Sequence, residues 1–271
     1  MERGISKSVE PVRTEKLYRR SVHLINHYLE PRDIYKLITS KSWNYASDVE
    51  ERALRDQAMM STVYCSAGRI TEIVGGPAFK LGDEIYQVGK CAGARRAKVV
   101  GRHLGLRMEN INFTPQYIRV TGMKVVKHSQ KLIDKYGEKI LVRDDFIIPL
   151  QRGLFTNIFW DQLVPFGVLI KKYLDTYQPK GKLFGYASAM AYKVIRYVTG
   201  YHPHWFRAQA EQFYGYFLLQ DTIKLAKFVN VSDPTHLKSY IGYSCTSQMK
   251  DPSVSMDFNW IDEVLKEKVE S

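Results

Sequence analysis

Cysteine is scarce in this chain: Cys65, Cys91 and Cys245 are the only three in 271 residues, and none lies within two positions of another. An odd, widely spaced set provides neither a disulfide framework nor a Cys-x-x-Cys metal knuckle, and it fits a reducing compartment. Long apolar runs are missing too. Residues 163–170, the longest such stretch, contain Pro165 and fall far short of the about 20 residues a membrane helix needs. Met1-Glu2-Arg3-Gly4 leads into charged residues rather than an apolar leader core, so the sequence predicts a soluble intracellular protein.

Several chemistries lack their usual residues. No GxxxxGK[ST] phosphate loop occurs, no GxGxxG follows a strand, and no serine nucleophile elbow is present. His202 and His204 alternate across Pro203 without a cysteine or carboxylate cluster to complete a metal shell, so neither metal nor cofactor is expected. Internal repeats and low-complexity tracts are also lacking. Acid is the remaining shortage. Twenty-eight Asp+Glu stand against 40 Lys+Arg, which gives a net charge of +12 and favours a polyanionic partner.

What is present supports a folded α+β protein, mostly helical with a small antiparallel sheet or hairpin. Hydrophobic residues make up 45% of the chain, enough for a core in one large or two small domains. Residues 1–29 read as a short basic segment, with a short helix near 16–28. Glu30-Pro31-Arg32-Asp33 reads as a helix start, with a proline in the first turn. Over 47–73 apolar residues recur at helical spacing (Ala53, Leu54, Ala58, Met59, Val63), and Gly68 permits a break before Arg69.

Glycines punctuate 75–104, where short strands are expected at 84–88 and 98–100. Strands are also expected at 111–113, 117–120, 124–126 and 146–150, with a polar excursion over 130–139. Between 95 and 131 nine Lys/Arg face the single acid Glu109, a charge pattern suited to a phosphate backbone. Helices follow at 155–173, 187–199, 205–219 and 220–229. A final amphipathic helix over 260–269 could dock on a partner subunit or on its own core.

Four side chains stand out chemically. Arg69 lies in Ser66-Ala67-Gly68-Arg69-Ile70-Thr71-Glu72-Ile73, with Glu72 placed to buttress it. His204 and Arg207, at i and i+3, open a helix after Pro203 and share one face near its positive end. Tyr240 follows the helix break Ser232-Asp233-Pro234-Thr235, and Tyr243 is its rival. Guanidinium forks bind non-bridging phosphate oxygens, and a phenol can carry a phosphoryl group.

In this order the pieces resemble the tyrosine recombinase (phage-type integrase) family, in the style of archaeal virus or plasmid integrases. The Arg69 segment is similar to the family's first motif. Leu106-Arg107-Met108-Glu109-Asn110-Ile111 and Ile118-Arg119-Val120-Thr121-Gly122-Met123-Lys124 resemble its hairpin with the active-site lysine, and Phe146-Ile147-Ile148-Pro149-Leu150 the strand closing it. His204-x-x-Arg207 resembles the second motif, and Tyr240 falls where the nucleophile is expected. The resemblance covers about 30–245. It implies a catalytic domain over 30–250 with an insertion near 75–104, a reduced N-terminal domain, and a tail helix within 251–271.

The resemblance implies a site-specific recombinase or integrase that cuts and rejoins double-stranded DNA through a 3′-phosphotyrosine, as a homo-tetramer in the cytoplasm or nucleoid. Its catalytic set would be Arg69, Lys124 (or Lys127), His204, Arg207, Asn230 and Tyr240, supported by Glu72. Arg95, Arg96, Arg107, Arg119 and Lys127 would contact DNA. Ala208 and Asn230 depart from the family's usual histidine and His/Trp. Two alternatives stay open: a type IB topoisomerase or resolvase with the same chemistry, and a non-catalytic DNA-binding protein on the same fold.

Overall fold

The computed structural model describes residues 28–40, 49–85, 87, 93, 95–121, 124–126, 140–142, 145–219, 222–229, 237 and 257–267. Those residues form a mostly helical body with two small antiparallel sheets, the α+β organisation expected from the sequence. Helices α1 (Pro31–Thr39), α2 (Val49–Ser66), α4 (Val164–Tyr177), α5 (Ser188–Thr199) and α6 (Pro203–Phe213) build the core. The short helices α3 (Ile70–Val74), α7 (Thr222–Phe228) and α8 (Asn259–Glu267) complete the helical set.

The centre is α2. Its second half is apolar or hydroxyl-bearing on all sides, and every residue from 58 to 68 is buried. A helix hydrophobic all round belongs inside a core rather than on its edge. Its hydroxyls are satisfied locally: Thr62 Oγ1 donates to the Ala58 carbonyl at 2.8 Å, and Ser66 Oγ to that of Thr62 at 2.6 Å. The Tyr64 ring lies 4.9 Å from Phe166 of α4 and 5.9 Å from Phe206 of α6, while the Tyr214 hydroxyl donates to the Cys65 carbonyl. Burial raises the pKa of the free Cys65 thiol, which makes it a packing group rather than a nucleophile.

The strands differ from expectation in length and pairing. β1 (Gly76–Ile85) and β2 (Arg95–His103) form a hairpin far longer than the pieces expected at 84–88 and 98–100. β3 (Ile111–Phe113), β4 (Tyr117–Val120) and β7 (Phe146–Pro149) form a three-stranded sheet, so β7 closes on β4 as expected. β5 (Lys124–Val126) leaves that sheet. It pairs with β2 and with β6 (Ile140–Val142), making a second sheet ordered β1-β2-β5-β6. The expected lysine hairpin is thereby joined, through β5, to the β1–β2 hairpin. Periodicity within a strand does not choose its partner, so the sequence pattern could not show this.

Helix ends also shift. The helix expected over 155–173 begins as a 3-10 turn (Ile158–Leu163) and becomes α4 only near Pro165, whose fixed φ suits a first turn. The one expected over 205–219 ends at Phe213 in a π turn, Tyr214–Leu218. The terminal helix α8 docks on its own core. Trp260 and Ile261 are buried, Trp260 Nε1 donates to Gln162 Oε1 at 2.9 Å, and its ring lies 5.4 Å from Tyr35. The exposed ion pairs Arg32–Asp257 and Arg152–Asp262 add little to that apolar burial.

Away from α8, Asp56 is buried beneath the segment leading into α5. Tyr186 Oη donates to its Oδ1 at 2.6 Å, and Arg55 Nη2 donates to Tyr186 Oη at 2.7 Å. Burial, only partly offset by the Tyr186 bond and Arg55, raises the Asp56 pKa to about 6. Its folded value therefore lies above the roughly 3.9 of an unfolded chain. The protonated form stabilises the fold, fully below about pH 4, and that contribution is lost as pH rises through about 6. A chemical-denaturation series from pH 4 to 7 should show the wild type losing up to about 3 kcal/mol relative to Asp56→Asn. Parallel curves would place the Asp56 titration elsewhere.

Candidate active site

Two arginines 138 positions apart in sequence meet at one carboxylate. The chain leaves α2 at Ser66, takes a left-handed turn at Ala67 (φ 46°), and starts α3 after Arg69. The sequence placed the permissive residue at Gly68, but that glycine serves a close approach instead. A Cβ there would stand 2.7 Å from Ser66 Oγ and 3.0 Å from Ile73 Cδ1. The turn lifts Arg69 out of the core while Glu72, one turn on, stays buried.

Glu72 is the hub. Its Oε2 accepts the Arg69 backbone N–H at 2.8 Å, and its Oε1 accepts Arg69 Nη1 at 2.9 Å. Arg207 Nη1 lies 3.9 Å from Glu72 Oε2. Arg207 is fixed from α6: Nε donates to Glu211 Oε1 at 2.6 Å, and Nη2 donates to the Val229 carbonyl at 2.7 Å. Only 4% of its side chain is exposed, against 46% for Arg69. Its Nη1 is buried with no hydrogen-bond partner among the described residues. One guanidinium thus reaches toward solvent and the other keeps an unused donor, both held at a shared carboxylate.

His204, exposed in the first turn of α6, lies one turn before Arg207. The neighbouring His202 caps that helix, with Nδ1 accepting the Trp205 N–H at 3.0 Å. Lys124 opens β5, opposite Val142. Asn230, Tyr240, Tyr243 and Lys127 lie outside the described residues. Val229, bonded to Arg207, and Leu237 are both buried.

Among the expected DNA contacts, Arg95 and Arg96 lie on β2, with Arg96 exposed. Arg107 is exposed ahead of the 3-10 turn Met108–Asn110. The exposed Arg119 donates to Asp145 Oδ2 at 2.7 Å. No group of three potential metal ligands occurs among the described residues, and no helix there is long and apolar enough to cross a membrane.

Three features escaped the sequence analysis. Glu211 was visible only as the i+4 neighbour of Arg207, a spacing that favours ion pairs. His103, at the end of β2, is buried beside Glu72 and Arg69, and no motif signalled it. A groove of about 780 Å³ starts beside Arg69, at Ile70 and Thr71, and runs past Pro77 to the outer face of α5. That face offers Tyr192, Lys193, Arg196 and Tyr197, all exposed. The 3.6-residue period marks it as the solvent side of an amphipathic helix but not as a groove wall.

No family model and no curated protein sequence matches the chain. Among solved structures it is similar to the XerH site-specific recombinase bound to its difH substrate in a pre-cleavage complex, and to XerH with a palindromic difH substrate in a post-cleavage complex. Each match has a TM-score of 0.42 and 11% identity; they cover 78% and 79% of this chain respectively, and 48% of each XerH chain.

Removing Arg207 would take from buried Glu211 its 2.6 Å ion-pair partner, while Glu72 would keep its bonds to Arg69. Arg207→Ala should therefore cost about 3–5 kcal/mol of folding stability in denaturant melts. Pairing it with Glu211→Gln should recover part of that loss, because one buried carboxylate is then neutral. Equal stability of the single and double variants would disprove the charge-compensation role.

Proposed function

We propose that this chain cuts and rejoins double-stranded DNA through a covalent tyrosine–phosphate intermediate, as a site-specific recombinase or integrase. The observation that carries the reading is the convergence of Arg69 and Arg207 on Glu72, with Arg207 Nη1 left without a partner among the described residues. A scissile phosphate at this edge would take one donor from each guanidinium. As the phosphorus becomes pentacoordinate, the two cations would offset the added negative charge.

Tyr240 is the proposed nucleophile. Its phenolic oxygen forms a bond to phosphorus as the bond to the 5′-oxygen breaks, leaving a 3′-phosphotyrosine and a free 5′-hydroxyl. Lys124 supplies the proton to the departing oxygen, with Lys127 the alternative donor. His204, beside the phosphate end of α6, takes up the phenol proton or hydrogen-bonds the phosphate. Asn230, following Val229, would donate a further hydrogen bond. The phosphodiester energy is kept in the tyrosine ester, so rejoining by a 5′-hydroxyl needs no cofactor. Assembly on two duplexes as a homo-tetramer is part of this reading.

The groove beside Arg69 would lie along the edge of the bound duplex. Lys193 and Arg196 would meet phosphates along one wall, and Arg95, Arg96, Arg107, Arg119 and Lys127 would extend the basic surface across the sheets. One observation favours a second reading, a DNA-binding protein that performs no covalent step. Arg207 is already bonded to Glu211 and Val229, and a guanidinium held that way could be structural alone.

The readings part on a nicked suicide duplex resolved under denaturing conditions. The wild type should form a covalent protein–DNA adduct, and Tyr240→Phe should lose it while retaining duplex binding. Adduct persisting in Tyr240→Phe but absent in Tyr243→Phe would move the nucleophile to Tyr243, and no adduct from the wild type would leave the binding reading. Separately, Lys193→Ala with Arg196→Ala should weaken binding to unrelated duplexes alike and flatten the slope of log K against log salt by about 2. An unchanged slope would take the α5 face out of the interface.

A further inference from the structure

The proposed chemistry leaves one buried imidazole at its centre unused. His103 ends β2 with its side chain buried, and its Nδ1 has no hydrogen-bond partner among the described residues. Its place is fixed by backbone on three sides. It pairs across the β1 ladder with Gly76 and across the β5 ladder with Val125. Just beyond it, the Leu106 N–H donates to the Ile73 carbonyl at 2.8 Å, tying the end of β2 to the last turn of α3.

Two glycines make that junction possible. A Cβ on Gly75 would meet the Leu104 carbonyl oxygen at 2.9 Å, and one on Gly105 would meet Gly75 N at 2.6 Å; both residues have φ near +80°. His103 is thereby held at the C-terminal end of the short helix that carries Glu72 and is capped by Arg69.

We propose that His103 is a positioning residue, which keeps the Glu72 carboxylate available to Arg69 and Arg207 only while its own ring is neutral. Among the described residues, the charges that act on it are those of Glu72 and Arg69; Arg207 lies 3.9 Å from Glu72 and is paired with Glu211. The residues paired with it on β1 and β5, Gly76 and Val125, do not titrate. A neutral ring adds no charge near Glu72. A protonated ring would compete with both guanidiniums for that carboxylate and repel Arg69, loosening the pair just where the phosphate is to be gripped.

The electrostatics agree with that geometry. Burial lowers the His103 pKa below its ordinary 6.5, Glu72 opposes the shift, and Arg69 adds to it. The shift favours the neutral ring and with it the competent arrangement, which acidification would loosen.

The inference rests on the strand-transfer reading, yet the ring can be tested apart from it. NMR titration of the full-length protein should find the His103 imidazole midpoint below 6.5. Arg69→Gln should raise that midpoint, and Glu72→Gln should lower it. A midpoint at or above 6.5, or one that neither substitution moves, overturns the proposal. On the suicide duplex, wild-type adduct formation should fall about tenfold per pH unit below the midpoint. His103→Gln should flatten that limb while leaving adduct formation at pH 8 nearly unchanged. An identical acid limb in both proteins overturns the proposal as well. If no adduct forms at any pH, the strand-transfer reading fails, and the ring titration alone decides the role of His103.

Discussion

A carboxylate buried between two guanidinium groups sets the terms for the rest of this structure. Taking Glu72 out of water costs several kcal/mol unless compensating charge is close, and Arg207 and Glu211 face the same cost from α6. The arrangement that satisfies all of them fixes α3 against α6. It also holds Val229, just after α7, because that carbonyl is one of the acceptors Arg207 uses. Shifting any of these elements by a few ångströms would leave an unpaired charge in the core. The polar centre therefore determines how the elements are arranged as strictly as the apolar packing does.

The apolar packing supplies most of the energy. Helix α2 is enclosed by aromatic side chains from α4 and α6, with Tyr64 touching both Phe166 and Phe206, and α8 closes the far side through Trp260. This core makes Ser66 a fixed point from which the Ala67 turn can present Arg69. The same body carries α5, whose inner face is buried and whose outer face walls the groove. Rigid elements under a partly open site suit chemistry that depends on orientation.

Much of this was legible in the sequence, for reasons that can be named. The apolar spacing of Leu54, Ala58, Met59 and Val63 reported α2, and the alternation around Ile118 and Ile148 reported β4 and β7. Both are local periodicities that the folded chain repeats. The pairing of Arg69 with Glu72 followed from a single helical turn. Less legible were the boundaries of β1 and β2, where glycines obscured a long hairpin. The departure of β5 to a different sheet, along with Lys124, was hidden as well. That choice depends on which edges are free once the chain has collapsed, and no residue pattern encodes it alone.

The sequence by itself determined the charge balance, the positions of the main helices, and the order in which arginines, histidine and tyrosines occur along the chain. Tertiary structure alone decided that Arg69 and Arg207 share Glu72, that His103 is buried within the electrostatic reach of Glu72 and Arg69, and that the terminal helix packs on its own core. Helical and strand periods reach only a few residues, whereas these contacts join positions separated by tens to hundreds. They form only where burial of apolar surface and compensation of buried charge are satisfied together.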